Sequence, residues 1–356
     1  MFSEINLNVF FQMNIVPAGI FLFMTIFMIA NRHYESLIAR KFRPLVSLLL
    51  FIIIIDNLDN AFYLRKIIDI RRTIVGVLGY DIRILILLLL FFIMLRETKA
   101  KWISLFWIPA IICFIITPLA FFTKLIFWYD EKTGVLLRGP LAFTPHIVMG
   151  IYILFIVAFG FHKFFHKSPE EGIIVIIGCI LNILAVYAEA KYLYRGVLMG
   201  TIALVILAYY LYIHTEYLKK DILTDTFNRL VYLADTKKTD EITSLIMIDV
   251  NNLKTLNDTL GHDEGDKALK TCAEKIKESL PRGCVLYRVG GDEFVVLCKK
   301  QSNIEHIVTK IRNSMKGTSY SWAVGYSELV DNDIDKTFKI ADKNMYTEKQ
   351  KMKCKV

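Results

Sequence analysis

The chain has 356 residues, a formal net charge of +9 and a composition that is 55% hydrophobic. Its mean hydropathy of +0.45 is high for a soluble protein and indicates membrane segments. Lys and Arg are spread along the chain instead of forming one dense patch, which argues against a nucleic-acid-binding protein and leaves attraction of an anionic nucleotide as a minor alternative. The six cysteines contain no C-x-x-C pair, so neither a zinc pattern nor a disulfide framework is expected, and a reducing cytosol fits.

Apolar residues are concentrated before about Tyr210, and a charged composition typical of a globular domain follows Glu216. Seven apolar runs precede this change, each close to the ~20 residues that a helix needs to cross a bilayer. They cover residues 9–30, 44–64, 74–95, 102–123, 141–162, 172–190 and 194–214. We therefore expect a seven-helix transmembrane sensor domain over residues 1–214. Its connections are too short to hold a folded extracellular module.

Several of these runs contain polar residues, which are costly inside a bilayer. The third run contains Asp81 and Arg83, so it reaches full length only if these charges lie near one interface or pair inside the bundle. Glu189 lies in the sixth run, and four polar residues close the second. For these residues a functional role, as a ligand pocket or a polar relay, and a hydrated outer interface remain equal alternatives. The four are Asp56, Asn57, Asp59 and Asn60.

The basic residues do not decide the orientation of the spans. Lys and Arg are equally numerous in the odd and the even connections, so the positive-inside rule favours neither side. Residues 215–223 contain neither Gly nor Pro. We therefore expect the seventh helix to continue through them as a helical signalling linker into a domain over 224–356.

Strand and helix patterns alternate in this C-terminal part. Residues 245–250, 285–289, 294–298 and, more weakly, 321–326 predict strands, and 265–280, 304–315 and 334–353 predict helices. The expected fold class is an α-helical transmembrane bundle followed by an α/β sandwich, whose helices pack on a mostly antiparallel sheet.

The residues Gly290-Gly291-Asp292-Glu293 stand between two predicted strands and indicate a tight hairpin. The glycines permit positive φ and let a bulky ligand approach the backbone. The two acids at the tip suit a hard cation. A solvated hairpin tip is the simpler interpretation of this motif when it is taken alone.

A second group of polar residues follows the predicted strand 245–250. A carboxylate at the end of a buried strand, here Asp249, suits Mg²⁺, which prefers oxygen ligands and bridges phosphate oxygens. Lys254 suits a phosphate as a point charge. An amide and a carboxylate further on, among Asn257, Asp258 and Asp266, can read a base, because guanine offers hydrogen-bond donors to an acid and acceptors to an amide.

Together these residues resemble the GGDEF family of diguanylate cyclases. Four motifs in the family's order carry the resemblance, at residues 221–229, 249–266, 290–294 and 341–346. The resemblance implies a catalytic domain of the GGDEF, or nucleotidyl-cyclase, type. Such a domain joins two GTP molecules into cyclic di-GMP and releases pyrophosphate. Each domain holds one GTP, so a homodimer is implied.

The resemblance also implies roles at the matching positions. Asp249 and Asp292 would bind Mg²⁺ or Mn²⁺ as a pair of ions, assisted by the carbonyl of Val250. Glu293 would activate the 3′-hydroxyl or support the metal. The residues implied as catalytic are Asp292, Glu293, Asp249 and Lys254. Those implied to bind substrate are Asn257, Asp266, Gly290, Gly291, Lys349 and Lys353.

Two of the chain's departures from the family concern binding sites. The product-inhibition motif Arg-x-x-Asp corresponds to positions held here by Pro281 and Cys284, so no feedback binding of cyclic di-GMP is expected there. Met352-Lys353 stands where the family has Gly-Arg. A catalytically weak or inactive domain that acts as a GTP-binding signalling module is therefore the alternative.

Localisation follows from the implied substrate. GTP is cytosolic, so the C-terminal domain is expected in the cytoplasm and, with seven spans, the N-terminus outside. The implied protein is a multi-pass protein of the cell membrane. Its expected partners are membrane lipid, GTP, an unknown sensory ligand and a second copy of itself, without nucleic acid.

Overall fold

The computed structural model describes residues 7–30, 37–96, 98, 101–166, 168–192, 196–237, 241–299 and 303–354. The side chains of residues 7–13, 37, 38 and 101 are not among them. The chain divides into two compact units, Met1–His214 and Thr215–Val356.

The first unit is built from apolar helices. Six described helices are long and apolar enough to cross a membrane, over Ala39–Leu64, Ile70–Met94, Trp102–Phe121, Thr144–His166, Pro169–Tyr192 and Val197–Leu218. A seventh apolar stretch, Asn14–Ala30, is shorter, so the expected count of about seven differs only at the first span. The α-helices are α1 (Leu7–Ala30), α2 (Leu37–Leu64), α3 (Ile70–Met94), α4 (Ile108–Ile116), α5 (Thr144–His166), α6 (Pro169–Tyr192) and α7 (Val197–Leu218). The strands β1 (Phe127–Tyr129) and β2 (Leu136–Arg138) form an antiparallel hairpin before α5.

The charged residues of the third span are paired inside this unit. Arg83 Nη2 donates to Asp56 Oδ1 at 2.6 Å, and Thr117 Oγ1 donates to Asp81 Oδ1 at 2.8 Å. Helix α3 continues through both charged positions. Arg83 is thus paired within the bundle, one of the two expected arrangements, and Asp81 is hydrogen-bonded there.

Asp59 and Glu189 also have partners. Arg72 is almost fully buried, and its Nε lies 3.4 Å from Asp59 Oδ1. Glu189 accepts a hydrogen bond of 3.0 Å from the backbone N–H of Leu198, in the first turn of α7. These contacts offset the cost of polar groups in an apolar bundle.

A buried ionic cluster joins the ends of several helices. Glu171, at the start of α6, accepts from Arg96 Nη1 at 2.7 Å and from the hydroxyl of Tyr209 at 2.9 Å. Lys163 Nζ lies 3.1 Å from the second carboxylate oxygen of Glu171. Both members of the Lys163–Glu171 pair are only 1% exposed. A buried charge is tolerated when it is paired and hydrogen-bonded, as here.

The span over Trp102–Phe121 is not a regular helix. Short 3₁₀ segments flank α4, and Pro109 follows the first of them. The hydroxyl of Tyr152, a fully buried residue of α5, accepts from the N–H of Ala110 at 3.1 Å and donates to the carbonyl of Phe106 at 2.7 Å. This side chain therefore satisfies backbone groups where the regular helical pattern is interrupted.

The second unit contains a five-stranded sheet with the strand order β3-β5-β6-β4-β7. Strands β3 and β5 are parallel and the other neighbours are antiparallel, which confirms the expected mostly antiparallel sheet. The strands are β3 (Phe227–Asn228), β4 (Ile242–Val250), β5 (Cys284–Arg288), β6 (Glu293–Lys299) and β7 (Trp322–Glu328). The helices are α8 (Arg229–Asp235), α9 (Leu253–Leu260), α10 (His262–Ser279), α11 (Ile304–Asn313) and α12 (Ile334–Lys353).

Helices cover both faces of this sheet. Ile246 and Ile248 of β4 belong to a core shared with α10 and α11, whereas Leu245 and Met247 belong to a second core shared with α8 and α12. Alternate residues of a strand point to opposite faces, so a strand covered on both sides has a continuous apolar run. Strand β4 lies between β6 and β7, and its polar end, Asp249, lies at the rim of both layers.

Helix α7 ends earlier than expected. The sequence predicted a helical linker over 215–223, but the helix stops at Leu218. The side-chain amide of Asn228 donates to the carbonyl of Leu218 at 2.6 Å, and the backbone N–H of Asn228 donates to Lys219 at 3.0 Å. Asp221 then accepts from the N–H of Thr224 at 2.9 Å. Polar side chains thus replace the helical hydrogen bonds without any Gly or Pro.

Candidate active site

The end of β4 and the tip of the β5–β6 hairpin lie side by side. Asp249 is paired with Glu293 in the antiparallel register of β4 and β6. The backbone N–H of Val250 donates to the carbonyl of Asp292 at 3.0 Å. The three acids that the sequence singled out therefore lie at one edge of the sheet.

Asp249 is only 6% exposed, and its carboxylate accepts a hydrogen bond of 2.5 Å from Lys349 Nζ on α12. Burial raises the pKa of Asp249, the hydrogen bond and positive charge of Lys349 oppose that rise, and the negative charge of Asp292 adds to it. The carboxylate is thus held in place by the ammonium group of Lys349, while the carboxylate of Asp292 repels it.

Glu293 is also partly buried and close to other acids. Burial raises its pKa first, and the charges of Asp292, Asp249 and Asp342 raise it further. Acids that raise one another's pKa are stabilised by a bound cation, which removes their repulsion. The oxygen donors present are those that Mg²⁺ prefers, so the residues fit a divalent ion.

No cluster of three or more His, Cys, Asp or Glu side chains suited to a metal occurs among the described residues. Mg²⁺ is commonly held by one or two carboxylates together with water and substrate phosphate oxygens.

The two glycines of the hairpin have different surroundings. Neither adopts the positive φ that a glycine permits. A Cβ on Gly290 would lie 2.5 Å from Glu293 Oε2, so a side chain there would displace the Glu293 carboxylate. A Cβ on Gly291 would meet no atom within 4 Å, so the backbone there is open to a ligand.

Arg288, which was not singled out from the sequence, holds the hairpin tip through hydrogen bonds. Its Nη1 donates to Asp221 Oδ1 at 2.9 Å and its Nη2 donates to the carbonyl of Gly291 at 2.7 Å. Burial would raise the pKa of Asp221, but hydrogen bonds from Thr224 and Arg288 hold it below its ordinary value. The motif at 221–229 and the hairpin tip are therefore one connected structure.

Asn257 and Asp266, the predicted base-reading residues, lie on consecutive helices. Asn257 is half-buried in α9, and its side-chain oxygen occupies the space that a Cβ on Gly265 would need. Asp266 follows Gly265 in α10 and is exposed. The absence of a side chain at Gly265 brings the amide of Asn257 close to the helix that carries Asp266.

The three predicted phosphate-binding lysines are placed differently. Lys349 is bonded to Asp249, as described above. Lys353 is exposed at the end of α12, and its positive charge lowers the pKa of Asp249. Lys254 is exposed in the first turn of α9 and makes no ion pair with the acids in the described part of the chain.

Comparison with protein families identifies the second unit. The profile described as "Diguanylate cyclase, GGDEF domain" matches residues 219–355. Residues 219–355 are a GGDEF domain. The chain is 28% identical over 144 residues to the probable diguanylate cyclase DgcJ of Escherichia coli, a match covering 36% of this chain and 29% of DgcJ. It is 33% identical over 146 residues to diguanylate cyclase DgcS of Shewanella oneidensis, covering 36% of this chain and 49% of DgcS.

Solved structures of GGDEF domains also match. The GGDEF domain of TpbB, also named YfiN, from Pseudomonas aeruginosa is 28% identical, with a TM-score of 0.34, over 37% of this chain and 89% of that one. The coiled coil and GGDEF domain of DgcB from Caulobacter crescentus, in complex with c-di-GMP, is 18% identical, with a TM-score of 0.40, over 48% of this chain and 95% of that one. The matches to DgcJ and DgcS span less than half of those proteins' lengths.

Proposed function

We propose that the protein is a membrane-bound diguanylate cyclase, which condenses two GTP molecules into cyclic di-GMP and pyrophosphate under the control of its membrane-spanning region. The observation that supports this most is the meeting of Asp249, at the end of β4, with Asp292 and Glu293 at the hairpin tip. These acids repel one another in a partly buried setting, which suits a divalent cation and the phosphates that accompany it.

In this proposal Asp249 and Asp292 hold Mg²⁺ or Mn²⁺ as a pair of ions, with the carbonyl of Val250. The bound ions supply charge neutralisation at the phosphates and activation of the attacking oxygen. Lys349 holds Asp249 in position, and it would also supply positive charge to a phosphate. Lys353 and Lys254 add positive charge from the surface of α12 and α9.

The nucleoside is recognised by Asn257 and Asp266. The carboxylate of Asp266 accepts hydrogen bonds from the N1–H and 2-amino groups of guanine, while the amide of Asn257 donates to its acceptors. Gly290 and Gly291 leave the hairpin backbone bare, so the triphosphate can approach it closely.

The reaction is a nucleotidyl transfer. The 3′-hydroxyl oxygen of one GTP attacks the α-phosphorus of the other, and pyrophosphate leaves. Glu293 accepts the proton from the hydroxyl, a role that suits a carboxylate with a raised pKa. Each domain holds a single GTP, so two domains must face one another. A homodimer thereby places the substrates within reach of each other.

The protein is placed in the cell membrane as a multi-pass protein. The GGDEF domain lies in the cytoplasm, where GTP is available, and the N-terminus lies outside. Acids and bases paired within the bundle, such as Asp56 with Arg83, are the groups that a sensory ligand would contact or rearrange.

The test is incubation of the full-length protein, in lipid, with GTP and Mg²⁺, followed by chromatographic detection of cyclic di-GMP. The wild type should form product, and Asp292→Ala should abolish it because the cation site loses a ligand. Asp331→Ala, which removes an exposed acid in the turn before α12, is the matched control and should keep full activity. GTP binding by the wild type without product would refute the cyclase and favour the GTP-binding signalling module.

A further inference from the structure

Two cysteines face each other across the hairpin that carries the GGDEF motif. Cys284 of β5 and Cys298 of β6 are direct partners in the antiparallel register, and their sulfur atoms are 2.6 Å apart. Both are free thiols. The separation of these residues along the chain gave no reason to expect a pair, because only the register of the two strands brings them together.

The backbone geometry at this pair suits a covalent link. The N–H of Lys299 donates to the carbonyl of Gly283 at 2.8 Å, and the N–H of Cys284 donates to Pro281 at 3.3 Å. Cys284 and Cys298 therefore occupy a non-hydrogen-bonded position of the ladder, where opposite Cα atoms are about 4.5 Å apart. Disulfides span Cα separations of roughly 4.4–6.8 Å. The bond can form without separating the strands.

The two thiols differ in accessibility. Cys298 is fully buried in the core beneath α10 and α11. Cys284 is half-buried and lines a cleft of about 310 Å³, whose rim carries Lys220, Lys277 and Arg282. A small oxidant can reach the sulfur of Cys284 through this cleft, and the sulfur of Cys298 already lies beside it.

We propose that Cys284 and Cys298 form a reversible intramolecular disulfide when the domain meets a peroxide. In the first step the sulfur of Cys284 attacks one peroxide oxygen, the O–O bond breaks, a sulfenic acid forms and one water leaves. In the second step the sulfur of Cys298 attacks the sulfenic sulfur, the S–S bond forms and the hydroxyl leaves as a second water. Two thiols and one hydrogen peroxide thus yield one disulfide and two waters.

The bond closes a ring of 15 residues, 284–298, that contains the whole GGDEF motif. It ties β5 to β6 at the end of the hairpin opposite Asp292. A link of this kind restricts the unfolded chain and so stabilises the folded hairpin. In a reducing cytosol the bond would be transient, as expected of a redox-responsive pair. This inference does not depend on the proposed cyclase activity.

The test uses the full-length protein in detergent, treated with hydrogen peroxide and then with N-ethylmaleimide to block remaining thiols. Trypsin cleaves after Arg282, Arg288 and Lys299, so the two cysteines fall in separate peptides, 283–288 and 289–299. Mass spectrometry of the monomer band from a non-reducing gel should find these peptides joined. Dithiothreitol added before blocking should release them.

Three variants and one physical measurement make the result decisive. Cys284→Ser and Cys298→Ser should each lose the joined peptide, whereas Cys354→Ser, which removes an exposed cysteine, should keep it. Peroxide should raise the melting temperature of the wild type, dithiothreitol should restore it, and neither should affect Cys298→Ser. Peptides 283–288 and 289–299 recovered separately, both carrying N-ethylmaleimide or a sulfinic acid after peroxide, would overturn the proposal. A joined peptide found only in a dimer band would do the same.

Discussion

Gly325 sets how closely α12 approaches the sheet, so the substitution Gly325→Ala tests the packing that positions Lys349. A Cβ at Gly325 would lie 2.6 Å from Met345 Cα and closer still to the backbone nitrogen of Met345 and the carbonyl oxygen of Ala341. All three obstacles are backbone atoms of α12, so no rotamer change can relieve them. The helix must move outward by about an ångström. Overpacking of this kind costs about 1–3 kcal/mol, and obstruction by backbone points to the upper end.

The measurement is denaturant unfolding of the fragment 215–356, which forms a compact unit with its own cores. Trp322 is fully buried and is the only tryptophan of this fragment. All tryptophan fluorescence therefore comes from this residue and changes when the fragment unfolds. We expect Gly325→Ala to lower the free energy of unfolding by about 3 kcal/mol, or the melting temperature by about 10 °C. Gly291→Ala is the control, because its Cβ meets open space. A loss for Gly325→Ala within about 0.5 kcal/mol of this control would refute the packing argument.

Three further predictions follow from other contacts. Gly265→Ala should weaken GTP binding about tenfold in a titration while leaving stability almost unchanged, because the new methyl displaces only the flexible amide of Asn257. The pKa of Asp221 lies below its ordinary 3.8 in the folded state, so its stabilisation is present above that pH and is lost as pH falls through the lowered pKa. The stability difference between wild type and Asp221→Asn should therefore shrink in acid, and a constant difference would contradict this. Glu171→Gln should destabilise the detergent-solubilised protein by about 3–5 kcal/mol in thermal unfolding, because Arg96 and Lys163 lose their counter-charge, whereas exposed Glu170→Gln should not.

Much of the GGDEF domain could be predicted because its signals are local. The apolar run before Asp249 marks a strand buried on both faces, and the Gly-Gly pair between two β-rich runs marks a hairpin. Antiparallel pairing then places Asp249 opposite Glu293, as the structure shows. Features that depend on distant partners were missed. Lys349 reaches Asp249 from α12, and only the docking of that helix on β7 brings them together.

Prediction from the sequence also failed where particular side chains, and not composition, determine the course of the backbone. The end of α7 at Leu218 depends on Asn228, ten residues further along the chain. Arg288 lies in a strand and looks like an ordinary polar residue until its bonds to Asp221 and Gly291 are seen. Register likewise brings Cys284 to Cys298, although no spacing rule for cysteines would have paired them.

The hydroxyl of Tyr152 has a consequence for how the sensor region can move. It accepts a hydrogen bond from the N–H of Ala110 and donates one to the carbonyl of Phe106, so it connects the two sides of the interrupted span. Loss of this hydroxyl would leave two backbone groups without hydrogen-bond partners in the hydrocarbon region, at a cost of several kcal/mol for each unsatisfied group. We therefore expect helices α4 and α5 to move together. With both hydrogen bonds in place, the break in the span is not expected to serve as a hinge.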